Sequence, residues 1–273
     1  MARAALRRGL GSGRATVESV ADREQALAGG NSLGGAVRVG ETVRKPWTAA
    51  TPAVIEFMAA VRTGGVDVPE VLGRDEQGRQ VQEFVSGRLA MDLGSLSVAQ
   101  LARVAGIVRA IHDVSEGFVP VAAPRWQPAI RSPGHELICH GDLAPWNLIV
   151  GERWVFIDWD GAGPSTRLWD LAYSAQAFTL NDPDAAPVQA AGKLAAFIDA
   201  YGAGEQLREE LPAVLVQRVA AMYELLRSSN AAGIEPWSTL YVTGHGAHWQ
   251  AVLQYVKDHQ RLWARALTAD RSP

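Results

Sequence analysis

The chain has 273 residues, of which 48% are apolar and 20% are charged, and its net charge is −3. This composition is typical of a folded globular protein with one large domain or two modest ones. A pI near 6.1 argues against a dedicated nucleic-acid-binding protein, which usually has a basic surface. The single cysteine excludes an intramolecular disulfide and predicts a cytoplasmic location. No apolar run is long enough to span a bilayer. Neither a membrane nor, given the pI, a nucleic acid is therefore an expected partner.

The N-terminal part of the chain predicts a small sheet. Residues 1–28 begin with an arginine-rich stretch and are expected to be flexible or only partly ordered. A glycine-rich loop follows, and then two short strands over 36–39 and 42–45 that are joined by a tight turn. The segment RQVQEFVSGRL, residues 79–89, predicts a further strand that runs into a glycine turn.

Helical patterns occur once in this N-terminal part and dominate the chain after Gly87. The segment TPAVIEFMAAVRTGG predicts a helix with Thr51 as N-cap, Pro52 at the first helical position and Gly64 as its end. Three later segments, 186–202, 207–229 and 246–267, are also periodic. Another helix carries apolar residues on one face, at Leu101, Val104, Ala105, Val108 and Ile111.

The centre of the chain departs from this helical pattern. The stretches CHGDLAPWN, residues 139–147, and FIDWDGAGP, residues 156–164, place polar groups within apolar and turn-forming sequence. Residues 133–182 hold two Lys or Arg against seven Asp or Glu. Since burial of an unpaired carboxylate is costly, a positive group is expected beside these residues. The polar side chains are His140, Asp142, Asn147, Asp158 and Asp160.

Short strands are predicted over 136–139, 147–150 and 154–158. The segment NLIVGERWVFID reads as a hairpin that places Asn147 opposite Ile157 or Asp158, with their Cβ atoms about 5 Å apart. An amide oxygen and a carboxylate at this distance are hard ligands of the kind that Mg²⁺ accepts. Asp142, on a loop shaped by Pro145, can reach the same space, orient a hydroxyl and accept its proton.

The order of these groups is the order used by protein kinases: an Asp, an Asn five residues later, and an Asp after a hairpin. HGD stands where protein kinases have HRD, and IDWD where they have DFG. With FIDWDGAGPSTRLWDLA, the chain resembles the aminoglycoside phosphotransferase and choline kinase-like family over about residues 29–180. The resemblance implies an α+β, two-lobed, protein-kinase-like fold. A small β-rich nucleotide-binding lobe would span residues 29–87, and a larger, mainly helical catalytic and substrate-binding lobe residues 88–273.

The resemblance also implies roles for single residues. Asp142 would be the catalytic base, and His140 would brace its loop. Asn147 and Asp158 would hold Mg²⁺ on the phosphates of ATP, or of GTP. Asp170, in the WDLA segment, would anchor the catalytic loop from below.

The nucleotide-binding residues are carried over in the same way. A phosphate loop and an adenine-reading hinge would consist of Gly29, Gly30, Asn31 and Ser32, and of Glu83, Phe84 and Val85, respectively. The family's strand cation has two candidates, Arg44 and Lys45, of which side-chain alternation lets only one face the cleft. We favour Arg44. Glu56 is the only helix glutamate that could pair with this cation.

Four other side chains have local interpretations. Asp160 would face either the metal or the substrate, and Trp146 is a candidate platform for the substrate. His112 is interpreted as a dipole partner at the C-terminal end of its helix. Cys139 and its neighbour His140 point to opposite faces of a strand, so they are not expected to form a nucleophile pair. Cys139 is instead expected to be buried in the core.

The function predicted from these observations is ATP- and Mg²⁺-dependent phosphorylation of a hydroxyl on a small molecule. The acidic centre favours a cationic acceptor, and the resemblance makes an aminoglycoside or related cationic antibiotic the first choice. Two alternatives stay open: a kinase of an amino alcohol, sugar or other metabolite, and a non-catalytic kinase-like binding or immunity protein. Further acidic contacts to the acceptor are expected from the C-terminal helices, at Glu205, Glu209, Glu210, Glu224 and Glu235.

Overall fold

The computed structural model describes residues 24–27, 35–121 and 123–268. The predicted phosphate loop, Gly29 to Ser32, lies outside the described residues, and so does nearly all of the segment 1–28. The described chain forms a small antiparallel sheet near its N-terminus and a larger, mainly helical part after it. The α+β organisation expected from the sequence is therefore confirmed.

Five antiparallel strands form the N-terminal sheet: β1 (Gln25–Ala26), β2 (Val37–Val39), β3 (Thr42–Lys45), β4 (Val71–Arg74) and β5 (Gln80–Glu83). Their spatial order is β1-β2-β3-β5-β4, so β3 lies in the middle. The tight turn between β2 and β3 has Gly40 at a φ of 59°. Because β1 precedes residue 29, the sheet extends beyond the boundary predicted for the small lobe.

Helix α1 (Thr51–Thr63) ends before Gly64 as predicted, but it begins one residue earlier. Its N-cap is Ala50 rather than Thr51. The hydroxyl of Thr51 accepts a hydrogen bond from the backbone N–H of Thr48 at 2.9 Å. This bond points away from the helix, so the Thr51 side chain does not cap the first turn.

Two smaller sheets support the centre of the chain. Their strands are β6 (Arg88–Leu89), β7 (Leu137–Cys139), β8 (Leu148–Val150), β9 (Trp154–Phe156) and β10 (Gly163–Ser165). β6, β8 and β9 form one sheet, and β7 pairs with β10 in the other. The predicted hairpin is β8-β9, in which Val150 pairs with Trp154. Its register places Asn147 opposite Ile157, the first of the two predicted alternatives, and the Ile157 N–H donates to the Asn147 carbonyl at 2.8 Å.

The helical part contains α2 (Val98–Glu116), α3 (Arg167–Thr179), α4 (Pro187–Tyr201), α5 (Glu205–Ala232), α6 (Trp237–Leu240), α7 (Gly246–Asp258) and α8 (Gln260–Thr268). Ser97 and Gln100 form a reciprocal capping box at the start of α2. The last periodic segment is two helices, because the chain leaves the helical conformation at His259. A π-helical turn over 241–245 joins α6 to α7.

The main core lies among these helices. The apolar face predicted for α2 is buried along its whole length and packs against α4. On the side of the small sheet, the rings of Phe57 in α1 and Trp159 form an edge-to-face contact, with 5.7 Å between the ring centroids. This contact packs α1 against the IDWD segment. Within the described part of the chain, no helix is both long enough and apolar enough to span a membrane.

Candidate active site

The predicted catalytic loop connects β7 to β8 and holds Asp142 at the wall of a large cavity. Its carboxylate accepts hydrogen bonds from the Asn147 amide at 2.7 Å and the Trp146 indole at 3.3 Å. Burial raises the pKa of the Asp142 carboxyl, and the nearby Tyr173 hydroxyl and His140 oppose this change. A carboxylate with increased proton affinity, fixed at a cavity wall, suits a general base.

His140 is completely buried beneath this loop. Its Nδ1 accepts a hydrogen bond from the Asp142 backbone N–H at 3.2 Å, and its Nε2 donates to the Ile157 carbonyl at 3.1 Å. This arrangement requires a neutral imidazole, and burial lowers the pKa of His140 accordingly. The ring thus joins the catalytic loop to the end of β9, a geometry that matches the predicted bracing role.

Gly141 explains why HGD replaces the HRD of protein kinases. Its φ is +82°, a left-handed conformation that side chains rarely adopt. A Cβ atom at this position would lie 2.8 Å from the backbone oxygen of Gly161. The close approach of the two backbone segments therefore requires glycine.

Asp170 lies behind the loop and is almost fully buried. One oxygen accepts from the Gly141 N–H at 3.0 Å, and the other is 2.9 Å from Nε2 of His112. Burial alone would raise the pKa of the Asp170 carboxyl, but its contacts with His112, His140 and the Gly141 N–H together outweigh burial, and the pKa is lowered. His112 lies inside α2 and also bonds to the Tyr201 hydroxyl at 2.8 Å. The prediction of a helix-end dipole partner was wrong, because this imidazole binds a buried carboxylate.

Lys45 occupies the place expected for a positive group. Its ammonium lies 2.7 Å from Asp158 and 2.6 Å from Asp160. Burial opposes the charge on Lys45, but the two carboxylates outweigh burial and raise the pKa of the ammonium. Asp158 has a φ of 61° and is the only non-glycine residue with positive φ in the described part of the chain. A strained backbone of this kind is typical of functional sites.

The structure corrects two expectations for the strand cation. Arg44 does not face the two carboxylates, because it points to the other side of β3 and lies 3.5 Å from Asp75. Glu56 accepts a hydrogen bond from the backbone N–H of Val121 at 2.7 Å. Among the described residues, the partners of Lys45 are the carboxylates of the IDWD segment, which replace the expected helix glutamate.

The donor set fits the divalent cation that the resemblance implies. Nδ2 of Asn147 donates to both the backbone oxygen and the carboxylate of Asp142, at 3.0 and 2.7 Å. These two hydrogen-bond acceptors fix the orientation of the Asn147 amide, so that its Oδ1 points away from Asp142. Together with Asp158 and Asp160, this oxygen gives the hard donor set that Mg²⁺ prefers.

The predicted hinge lies at the end of β5. The Glu83 N–H donates to the Glu70 carbonyl at 2.8 Å, and the Phe84 N–H donates to the Glu41 carbonyl at 3.0 Å. Val85 is buried in a small apolar cluster with Ile149 and Val155. A nucleotide base read by this segment would therefore contact carbonyl oxygens or the amide of Val85.

The cavity next to Asp142 has a volume of about 760 Å³. Asp142, Asp158 and Asp160 lie on its wall, and so does Trp146, as expected for a substrate platform. Much of the remaining wall is aromatic or aliphatic and comes from helices α5 to α7 and their connections. It includes Met222, Leu225, Leu226, Pro236, Trp237, Leu240 and Trp249.

Sequence reasoning missed several polar residues of this wall, among them Tyr173 and Arg218. Tyr173 is three residues after Asp170, so both lie on one face of α3, and this spacing was a usable signal. Arg218 stands in the otherwise apolar stretch VLVQRVAAM, which indicates a charge on a buried helix face. None of the five C-terminal glutamates proposed as acceptor contacts lines the cavity. Glu224 pairs with Arg227 at 2.8 Å instead. Cys139 is fully buried, as predicted.

Comparison with known proteins agrees with this geometry. Residues 122–214 match the model of a family described as the phosphotransferase enzyme family. No curated protein sequence matches the chain. The resemblance predicted from the sequence is confirmed over these residues, and the match supports a phosphotransferase.

Solved structures share the two-lobed architecture. A microcompartment-associated aminopropanol kinase has a TM-score of 0.63 and 15% identity, over 89% of this chain and 94% of the kinase. An amicoumacin kinase in complex with AMP-PNP, Ca²⁺ and Ami has a TM-score of 0.61 and 13% identity, over 87% and 88% of the two chains. A choline/ethanolamine kinase family protein from Mesorhizobium loti has a TM-score of 0.53 and 19% identity, over 89% and 91%. These similarities confirm the predicted kinase-like fold.

Proposed function

We propose that the protein transfers the γ-phosphoryl group of ATP to a hydroxyl of a small molecule bound in the cavity. One observation carries this proposal. Asp142, a carboxylate with a raised pKa, shares the cavity wall with the Asp158 and Asp160 carboxylates that Lys45 bridges. A general base next to a cation-binding cluster is the arrangement that phosphoryl transfer to a hydroxyl requires.

Each residue has a role in this proposal. Asp142 orients the acceptor hydroxyl and accepts its proton, and the Asn147 amide keeps its carboxylate in place. Asn147 and Asp158 would hold Mg²⁺, which neutralises negative charge on the transferred phosphoryl group when it is bound. Lys45 is the cation that we assign to the nucleotide phosphates, in place of Arg44, because its ammonium lies among the metal-binding carboxylates.

ATP is the proposed donor, and GTP is the alternative to test. The match to a phosphotransferase family supports a nucleotide donor, and one structural neighbour was solved with the ATP analogue AMP-PNP. The choice between the two bases depends on the segment after β5, where the Glu83 and Phe84 amides already donate to backbone carbonyls.

Two acceptor classes follow from the sequence, a cationic antibiotic and a small metabolite. The names of the structural neighbours include both classes, since one is an amicoumacin kinase and others are aminopropanol and choline/ethanolamine kinases. Among the described residues, the only carboxylates on the cavity wall are Asp142, Asp158 and Asp160. A polycation would have to share these three groups with the metal. We therefore favour a small acceptor with an apolar portion over a polycationic aminoglycoside.

The test is acceptor-dependent release of nucleoside diphosphate by the full chain with Mg²⁺. The donors are ATP and GTP, and the acceptors are an aminoglycoside, an amino alcohol, a sugar and hydroxy compounds with alkyl or aryl chains. Asp142→Asn serves as the inactive control. Acceptor-dependent release by the wild type that is lost in Asp142→Asn is the expected result. Tight binding of nucleotide and acceptor without any turnover would support the non-catalytic binding protein instead.

A further inference from the structure

We infer that Arg218 determines acceptor specificity, and that it selects a hydroxyl compound that also carries a carboxylate. This inference rests on the proposed function and deepens it, because it names the chemical class of the acceptor. It starts from a charged side chain on the cavity wall that the phosphoryl-transfer machinery does not use.

Arg218 projects from α5 and is only 4% exposed. Its Nη2 donates to the Gly141 carbonyl at 3.3 Å, next to the catalytic Asp142. Its guanidinium carbon lies 3.9 Å from the centre of the Tyr173 ring. Its Nη1 is buried, and among the described residues it has no hydrogen-bond partner. One side of the guanidinium is therefore held in place, while the other lacks an acceptor.

No carboxylate among the described residues pairs directly with Arg218, although the charges of Asp142 and Asp170 favour its charged form from a longer distance. Within the described residues, no carboxylate lies within 4.0 Å of it. Other partly buried arginines do have such partners: Arg208, ten residues earlier on α5, is 2.8 Å from Asp199, and Arg167 is 2.9 Å from Asp113. Burial of an unpaired cation is costly, and it lowers the pKa of the Arg218 guanidinium. An anionic oxygen in the cavity would supply both a direct charge partner and the missing hydrogen-bond acceptor.

The position of Arg218 assigns this oxygen to the acceptor molecule. Arg218, Met222, Leu225 and Leu226 follow helical spacing and line the cavity from a single face of α5. The groups assigned to the phosphates and metal lie on β3, at Asn147 and on the IDWD segment, where Lys45 already pairs with both carboxylates. When the hydroxyl of an acceptor molecule is bound at Asp142, the substituents next to that hydroxyl would therefore lie beside the Arg218 guanidinium.

The chemistry of the wall defines the class further. A guanidinium binds a carboxylate through two parallel N–H bonds, which gives geometric selectivity as well as charge. A cationic group at this position would be repelled. The aromatic and aliphatic wall beyond Arg218, including Trp237 and Leu240, would hold an apolar chain. The expected acceptor is therefore a hydroxy acid with an alkyl or aryl substituent.

The experiment compares alkyl- and aryl-substituted hydroxy acids with the primary amide of each, which has nearly the same size but no charge and carries an NH₂ group in place of one acceptor oxygen. Binding is measured by calorimetry without nucleotide, and turnover is measured with MgATP. For the wild type we expect a preference for the acid of about 10- to 100-fold, the value of a hydrogen bond to a charged group. Arg218→Gln should bring acid and amide to near parity.

Two further variants serve as controls. Arg208→Gln removes a paired arginine of the same helix and should keep the preference for acids. Arg218→Lys keeps the charge but loses the planar fork, so an intermediate preference is expected. If Arg218→Gln does not fold, the inference is tested by the acid-to-amide affinity ratio of the wild type and by the change of this ratio in Arg218→Lys.

Three results would overturn the inference. The first is wild-type binding of amides as strong as that of acids. The second is a preference for acids that persists in Arg218→Gln. The third is an equal loss of kcat for acids and amides in Arg218→Gln with unchanged affinities, which would assign the anionic oxygen to the transferred phosphoryl group. Acid-selective binding without any turnover would instead contradict the proposed phosphoryl transfer and leave the role of Arg218 intact.

Discussion

The two ends of the cavity are built in opposite ways. At the phosphoryl-transfer end, the functional side chains hold one another in short polar contacts: His140 binds two backbone groups, and Lys45 bridges two carboxylates. At the acceptor end, the wall is mostly aromatic and aliphatic, and Arg218 is a buried cation without a carboxylate partner among the described residues. Under the proposed function, the protein pre-organises the groups for phosphoryl transfer, whereas the bound acceptor supplies the partner that Arg218 lacks.

This contrast follows from the physics of each task. Phosphoryl transfer needs charges at fixed positions, and buried, fully bonded groups such as Asp170 and His112 restrict movement of the loop that carries the base. Recognition of a small molecule relies mainly on apolar contact area with a few directional polar groups. Substitutions at the two ends should therefore change different kinetic parameters.

The largest effect is expected at the transfer end, from Asp142→Asn. The variant keeps the size of the side chain but cannot accept the proton of the hydroxyl, so kcat should fall by about 10²- to 10⁴-fold. Affinity for nucleotide should stay nearly unchanged, because Asp142 is not itself one of the proposed metal ligands. Steady-state kinetics and calorimetry measure the two quantities. The exposed Asp184→Asn is a matched control, and wild-type turnover by Asp142→Asn would remove this residue from the mechanism.

The next effect concerns the metal. Asp158→Ala removes the proposed carboxylate ligand, and MgATP affinity should fall by at least the 10- to 100-fold that loss of a metal's supporting contacts costs. Asn147→Ala should weaken binding less, since it removes a neutral ligand. Calorimetric titration with MgATP, and with ATP in the presence of a chelator, separates the metal-dependent part. Equal MgATP affinity in wild type and Asp158→Ala would rule out the metal assignment.

A smaller effect is expected at the acceptor end, from Trp237→Ala. This side chain is part of the apolar wall and is not among the residues assigned to phosphoryl transfer. Loss of its contacts should raise the KM for the acceptor by about tenfold, or 1.4 kcal/mol, and leave kcat unchanged. Kinetics with variable acceptor at saturating MgATP provide the measurement. A loss of kcat with unchanged KM would contradict the division between the two ends.

The smallest effect is expected behind the transfer end, at Cys139. Burial, with a further contribution from the Asp170 charge, raises the pKa of this thiol well above its ordinary value of 9.0. A raised pKa keeps the thiol neutral at pH 8, and a neutral, buried thiol reacts poorly. Ellman's reagent should therefore label no thiol in the native protein at pH 8 and one thiol in denaturant. Rapid labelling of the native protein would show that the catalytic loop opens readily.

Much of the transfer end could be predicted because its residues are close in sequence. His140, Asp142, Asn147, Asp158 and Asp160 fall within 21 residues, and the hairpin between them has a period of two. The register was predicted to within one residue because the hairpin loop is short. Local geometry therefore constrained which side chains could meet.

The missed or mistaken residues all depend on distant contacts. Alternation along β3 showed that Arg44 and Lys45 point to opposite faces, but only the packing of the sheet decided that Lys45 faces the cleft. Glu56 was the only local candidate for its partner, yet the IDWD carboxylates, more than a hundred residues further along the chain, are closer in space. The dipole role predicted for His112 failed for the same reason, because Asp170 approaches it from another helix.

The sequence by itself determined the order of the elements, the loop that carries Asp142 and the hairpin that presents Asp158. These features depend on periodicity, turn residues and short spacing, which act between neighbours along the chain. Only the tertiary structure decided the acceptor end, where α5, α6, α7 and the segment around Pro128 converge on one cavity. Amphipathic patterns show that a helix has a buried face, but not which neighbour covers it. A buried arginine such as Arg218 acquires its meaning only from the groups packed around it.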